Sequence, residues 1–182
     1  MRVIGIVGLP GSGKSEAAAV AEREGVPVVT MGDVIRAECR DRGLDPAVHH
    51  GEVARKLRAE NGPGAVADRS LPVIEDRLDA AETVVVDGIR SGTEVDRFQA
   101  AFGDSFRLVC VEAPFDTRAE RLDLRGRDAV SGEAGESLED RDRRELEFGM
   151  DKAIERADLT IENTGTLAAF RERVRGLLEG SS

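Results

Sequence analysis

The chain has 182 residues, enough for one domain with a sizeable core. Its formal charge of −10 argues against sequence-independent binding to nucleic acid or to an anionic membrane, since both need a basic surface. No apolar run approaches a membrane span, and Cys39 and Cys110 lie far apart without metal-ligand spacing, so a soluble cytoplasmic protein with ordinary thiols is expected.

The first element is Val3-Ile4-Gly5-Ile6-Val7, apolar enough for a strand buried on both faces. It runs directly into Gly8-Leu9-Pro10-Gly11-Ser12-Gly13-Lys14-Ser15, which fits the phosphate-binding pattern Gly-x-x-x-x-Gly-Lys-Ser/Thr without a mismatch. Because the strand leads straight into this loop, it does not read as a cleavable signal. Glu16 to Ala21 are rich in helix formers, so the loop opens a helix. The physical logic is that glycines let the backbone curl until its N–H groups and the positive helix end surround an anion. ATP is the expected ligand, held by Gly8, Pro10, Gly11, Ser12, Gly13, Lys14 and Ser15. Lys14 would reach the terminal phosphates and the Ser15 hydroxyl would hold Mg²⁺.

Gly25-Val26-Pro27-Val28-Val29 reads as a short second strand, and Thr30 to Asp33 turn into a helix through about Arg42. Gly43 to His50 read as a loop, with His49 and His50 as surface residues lacking any partner at ligand spacing. Two helical patterns follow, around Val53 and Leu57 and around Val66, Leu71, Ile74 and Leu78, interrupted by Asn61-Gly62-Pro63-Gly64. Thr83-Val84-Val85-Val86-Asp87 is the clearest buried strand. Ser91 and Glu94 form a capping-box pattern for a helix to about Phe102.

Phe106 to Val111 are a fourth strand and Pro114 to Arg125 a helix. Residues 126–135 are small, polar and acidic without hydrophobic periodicity, which predicts a mobile lid over the site. A charged helix from Ser137 to Arg156, a strand Leu159-Thr160-Ile161 and a helix from Thr166 to Glu179 complete the chain. Strands alternating with helices predict an α/β fold of the P-loop NTPase type, with a five-stranded parallel sheet and helices on both faces. The expected organisation is one domain over 1–182. Its core is 1–32, 81–125 and 145–182, with a helical monophosphate-binding insert at 33–80 and the lid at 126–144.

Several of these segments resemble known kinases. Thr30-Met31-Gly32-Asp33-Val34-Ile35-Arg36 looks like the Thr-Gly-Asp-x-x-Arg turn of adenylate kinases, and the resemblance implies that Arg36 clamps an acceptor phosphate. Guanidinium suits that task through its planar fork of donors. Asp33 has two implied roles, near Mg²⁺ as in adenylate kinases or as the base for a sugar hydroxyl as in dephospho-CoA kinases. A helix N-cap is compatible with both.

Asp87-Gly88-Ile89-Arg90 resembles the Asp-Gly-x-Pro-Arg turn of adenylate kinases, lacking the proline and one residue shorter. It implies Asp87 beside the magnesium and Arg90 on the acceptor. Arg118, Arg121, Arg125 and Arg127 approach the acidic stretch as lid arginines do in nucleoside monophosphate kinases, with Arg141, Arg143 and Arg144 on the returning helix. Of these, Arg125, Arg127 and Arg141 are the expected catalytic set. On a solvated helix, pairs such as Glu139 with Arg143 and Arg141 with Glu145 explain the same spacing. Ala157 to Gly165 resemble the last strand and turn of dephospho-CoA kinases, which implies that Asn163 and Gly165 lie beside adenine.

Taken whole, the chain resembles an archaeal family of P-loop proteins related to adenylate kinase and dephospho-CoA kinase. The resemblance implies an ATP-dependent kinase acting on a nucleoside monophosphate, AMP above others. Dephospho-CoA or another hydroxyl acceptor is the alternative, and an ATP- or AMP-binding switch or slow ATPase a third reading. Against 36 acidic residues the lysines are Lys14, Lys56 and Lys152, a balance resembling proteins of salt-loving archaea, where salt screens self-repulsion.

Overall fold

Alternate residues of three strands sort onto two faces, and this sorting builds the molecule. β1 (Arg2–Val7) lies at the centre, hydrogen-bonded to β3 (Thr83–Asp87) on one side and β4 (Phe106–Glu112) on the other. β2 (Val28–Thr30) extends the sheet beyond β3, and β5 (Leu159–Glu162) beyond β4. All pairings are parallel, in the order β2-β3-β1-β4-β5, the α/β sheet of a P-loop NTPase-like fold. The structure is a computed structural model that describes residues 1–128 and 137–180, with the backbone alone over 123–128.

One face carries Val3, Val7, Val84, Val86, Leu108 and Cys110, and the other Ile4, Ile6, Val85, Val109 and Val111. That division follows from the two-residue period of a strand. On the second face lie α1 (Lys14–Arg23) and α9 (Leu167–Glu179), through Val20, Ala21, Phe170 and Val174. The first face is covered by helices inserted between the strands. Between β2 and β3 run α2 (Met31–Asp41), α3 (Pro46–Asn61) and α4 (Ala65–Leu78), contributing Ile35, Leu57, Val66 and Ile74. Between β3 and β4 runs α5 (Gly92–Phe102), contributing Val95 and Phe98. Between β4 and β5 run α6 (Phe115–Asp128), α7 (Leu138–Phe148) and α8 (Met150–Ile154). Among the described residues no helix is long and apolar enough to cross a membrane.

Three local expectations change. Residues 43–50 are not a continuous loop, because Asp45 accepts the Ala47 N–H at 2.9 Å and Pro46 occupies the first helical turn, so α3 already contains His49 and His50. Asp33 is not an N-cap: α2 starts at Met31, which places Asp33 inside the first turn. The charged helix from Ser137 is broken at Gly149, whose φ of 117° ends α7 and starts α8.

Ser91 caps α5 as expected, its Oγ accepting the Glu94 N–H. The Glu94 carboxylate reaches back to the Arg90 N–H at 2.8 Å, one residue before the cap. The turn after β3 is pinned as well. Ile89 is fully buried against Gly5, where a Cβ would meet its Cδ1 at 2.7 Å. Packing Ile89 down onto the sheet leaves Asp87 at the strand end and Arg90 exposed above it.

Candidate active site

The loop between β1 and α1 leaves the carboxyl edge of the central strand, the edge where open α/β sheets bind their ligands. Gly8 and Gly13 have φ of 147° and 118°, values that a side chain rarely adopts. Neither has room for one. A Cβ on Gly8 would come within 2.3 Å of the Val111 carbonyl, and one on Gly13 within 2.4 Å of Asn163 Nδ2. Ser12 is buried, and its Oγ has no hydrogen-bond partner. Ser15, in the first turn of α1, is exposed.

The loop is held by side chains from far along the chain. Asn163 Nδ2 donates to the Ser12 carbonyl at 2.8 Å, and Arg121 donates to the same carbonyl at 3.3 Å and to the Asn163 carbonyl at 2.9 Å. Arg118 donates to the Pro10 carbonyl at 3.1 Å and the Ala113 carbonyl at 3.2 Å, and grips Asp142 of α7 with two bonds of 2.7 Å. Arg118 is 5% exposed. Arg118 and Arg121 therefore brace the loop's carbonyls, a task that their spacing among other arginines did not single out. Asn163 contacts the loop backbone, and Gly165 lies in an exposed turn with open space around it. The side chains of Arg125 and Arg127 lie outside the described residues. Arg141 is half-buried on α7, next to Asp142.

Lys14 curls back over the loop, donating to the Gly8 carbonyl at 2.6 Å and the Leu9 carbonyl at 3.1 Å. Burial pushes its ammonium pKa down, the carboxylates of Asp87 and Glu145 oppose that, and Arg90 adds to it. Burial pushes Asp87 up, against the pull of Lys14, the Gly88 N–H and Arg90. Lys14, Asp87, Arg90 and Glu145 thus form one electrostatic group at the edge of the sheet. Among the described residues no three His, Cys, Asp or Glu side chains gather to hold a metal by themselves. One hydroxyl (Ser15) and one carboxylate (Asp87) beside a phosphate cradle nevertheless fit Mg²⁺, which keeps waters and takes few protein ligands when phosphates are present.

Beyond Asp87 lies a second polar cluster. Arg36, half-buried, pairs at 2.8 Å with the exposed Asp33. Arg90 pairs with Glu145 at 3.4 Å. Arg58 of α3 reaches Glu94 at 3.4 Å and lies over the Phe148 ring, 4.8 Å from its centroid. His50, expected at the surface, is half-buried here, with its Nε2 buried and unpartnered. Its pKa is lowered by burial first and then by Arg36, with Arg90 and Arg58 adding and the Gly32 backbone opposing. Arg58 and His50 are thus members of the site that sequence reasoning missed. The available signal was the Asp45-Pro46 helix start, which sets His50 and Arg58 two turns apart.

Glu94 is 1% exposed, and burial raises its pKa above the ordinary 4.5 despite the Arg90 N–H and Arg58. A raised folded-state pKa contributes stability that is fully present below the unfolded value and is lost as pH rises through the folded one. Glu94→Gln keeps an acceptor for the Arg90 N–H without the buried charge. The variant should therefore be more stable than wild type at neutral pH, with the difference vanishing below about pH 4.5. Denaturant midpoints across pH 4–8 check this, and a variant less stable at neutral pH would show that the Arg58 pair outweighs desolvation.

With this geometry in place, the relatives can be compared. A family model described as an AAA domain matches residues 4–146. A UPF0200 protein of Halobacterium salinarum is 60% identical over 178 residues, covering 98% of this chain and 93% of its own length. One from Methanothrix thermoacetophila is 49% identical over 182 residues, covering 98% and 97%. These relatives are archaeal and include a halophile, in keeping with the acidic, lysine-poor composition.

Among solved structures, TT1252 from Thermus thermophilus superposes over 100% of this chain and 98% of its own, with a TM-score of 0.65 at 19% identity. A shikimate kinase from Acinetobacter baumannii, in complex with shikimate, does so over 100% and 95%, with a TM-score of 0.58 at 18% identity. At such identities the likeness is one of fold, that of an α/β P-loop NTPase-like domain, and the P-loop implies nucleotide binding. The chain belongs to the UPF0200 family, with the P-loop domain of the matched model as its body.

Proposed function

We propose that the protein is an ATP-dependent phosphotransferase that moves the γ-phosphoryl group of ATP to a nucleoside monophosphate, with AMP the favoured acceptor. The observation that carries this reading is that the guanidiniums of Arg36, Arg58 and Arg90 act together on His50, and that Arg90, on the turn after Asp87, acts on Lys14 and Asp87 as well. A nucleotide cradle alone needs no second set of guanidiniums; an anionic acceptor does. In this reading the loop from Gly8 to Ser15 holds the phosphates of ATP, and Asn163 and Gly165 line the adenine side. Ser15 and Asp87 would hold Mg²⁺, which when bound neutralises phosphate charge. Arg36 and Arg90 orient the acceptor phosphate. Arg127 and Arg141, within the lid assigned to 126–144, and Arg125 just before it stabilise charge on the group in transfer, while 33–80 form the acceptor-binding insert of a single domain; residues 129–136 of that lid lie outside the described residues. Such catalysis is positioning and electrostatics, with no covalent step for the protein.

A second reading has a hydroxyl acceptor, such as dephospho-CoA, with Asp33 as the base. Its support is that Asp33 is exposed, with Arg36 as its ion-pair partner among the described residues, so its carboxylate is accessible. The experiment is turnover of ATP against a panel of nucleoside monophosphates, dephospho-CoA and small polyols. AMP as the best acceptor supports the first reading, a hydroxyl compound the second. ATP binding without acceptor turnover leaves an ATP- or AMP-binding switch or a slow ATPase.

The two kinase readings also differ in their response to substitution. A phosphate acceptor is already an anion at neutral pH and needs a clamp; a hydroxyl needs a base. Arg36→Ala should weaken AMP binding by about 1.5–3 kcal/mol, roughly tenfold to over a hundredfold. Asp33→Asn should change chiefly the Mg²⁺ dependence. AMP affinity indifferent to Arg36, together with loss of dephospho-CoA phosphorylation in Asp33→Asn, would transfer the assignment to the second reading.

A further inference from the structure

Three residues at successive three-residue steps of α7 touch three separate parts of the site. Asp142 grips Arg118, which braces the Pro10 carbonyl of the P-loop. Glu145 pairs with Arg90 on the turn after β3. Phe148 lies under Arg58 of α3. Residues spaced by three share a side of a helix, so one side of α7 links the nucleotide loop to the arginines of the second cluster.

Glu145 has the most unusual position of the three. It is 8% exposed, although carboxylates are seldom buried without a function or a close partner. Its partner Arg90 is 57% exposed and sits 3.4 Å away, which is a loose pair for a buried acid. The same carboxylate acts on Lys14 together with Asp87, so its charge is felt by the phosphate-binding lysine as well as by the outer arginine it pairs with. A phosphoryl group in transfer, or the phosphate of an acceptor, would bring negative charge to the same two cations.

We propose that Glu145 is a built-in counter-anion that competes with an incoming phosphate for Arg90, so that acceptor binding requires the Glu145–Arg90 pair to open. This rests on the reading of Arg90 as a ligand of the acceptor phosphate. The pair holds the guanidinium in a defined place and keeps phosphate-bearing molecules of low affinity out. An acceptor with further contacts, to Arg36, Arg58 or His50, displaces the carboxylate. Since Asp142 lies one turn away on the same side of α7, displacement of Glu145 also loads the Arg118 brace on the P-loop. Acceptor occupancy is thereby communicated to the nucleotide loop through a single helix. Two other carboxylates at the cluster have different places: Asp33 is exposed and paired with Arg36 at 2.8 Å, and Glu94 accepts from the Arg90 N–H.

The test is calorimetric titration of inorganic phosphate and of AMP into wild type, Glu145→Gln, Arg90→Ala and the double variant at low salt. Glu145→Gln is near-isosteric and should bind both anions about tenfold more tightly than wild type. Arg90→Ala should erase that gain, locating it at this arginine rather than at the P-loop. Glu145→Asp, which keeps the charge but shortens its reach, should give a smaller gain and serves if Glu145→Gln fails to fold. Affinities unchanged or weaker in a folded Glu145 variant overturn the proposal, as does a gain that survives Arg90→Ala. So does failure of all variants to bind either anion. None of these outcomes depends on turnover. An acceptor panel without product would defeat the kinase reading and leave the affinity ratios to decide this one.

Discussion

Replacing Lys14 by alanine should lower ATP turnover by at least about 10²–10³-fold, the typical cost of removing one donor from a preorganised charge-stabilising site. The fold should be unaffected. Lys14 is an ammonium that burial already disfavours, and it makes two bonds to the Gly8 and Leu9 carbonyls. Loss of those bonds is offset by relief of the desolvated charge. The two quantities separate cleanly in the laboratory: thermal melting should lie close to wild type while turnover collapses. Full turnover in a folded Lys14→Ala protein would remove the nucleotide site from the P-loop and with it the proposed function.

Arg118→Ala should have the opposite profile, with a large loss of stability that drags binding with it. Its side chain is 6% exposed and that of Asp142 14%, and the two share a bidentate pair of 2.7 Å bonds. Removing one member of such a pair leaves the other charge buried without compensation, at a cost of about 3–5 kcal/mol. In a domain of this size that corresponds to a drop in melting temperature of roughly 6–20 °C. The Pro10 and Ala113 carbonyls lose a donor in the same step. ATP should stabilise the variant less than it stabilises wild type, because the loop it binds is no longer held. A melting temperature within a degree or two of wild type would mean that the pair is satisfied by water and that α7 is not anchored to the loop.

Both variants change an arginine or lysine in a chain where charged residues abound, yet only one of the two positions could be chosen by reading the sequence. Lys14 stands in a pattern of local spacing, Gly8 to Ser15, whose meaning is contained in eight consecutive residues. The strands Val3–Val7, Thr83–Asp87 and Phe106–Val111 were equally legible, because a strand covered on both faces shows itself as an unbroken apolar run. The same holds for the Ser91 cap of α5, which depends on a hydroxyl and a backbone N–H three residues apart. The start of α3 at Asp45-Pro46 was equally local. It is masked in the sequence because Gly43 and the two histidines carry no hydrophobic period.

Arg118, Arg58, His50 and Glu145 are of another kind. Arg118 has the same side chain as Arg121 and stands in the same charged helix, and nothing within that helix says that Arg118 will be buried and Arg121 half-buried. The sequence by itself determined the nucleotide-binding loop, the parallel α/β class and most strand positions, since each depends on residues within one or two turns of one another. Only the tertiary structure decided the strand order and the partners that complete the site. Arg118 meets Asp142 across 24 residues, Arg58 meets Glu94 across 36, and Asn163 meets Ser12 across 151. Burial of a charge and the identity of its counter-charge are properties of the space between segments, and that space exists only once the sheet has brought β3, β1 and β5 into line.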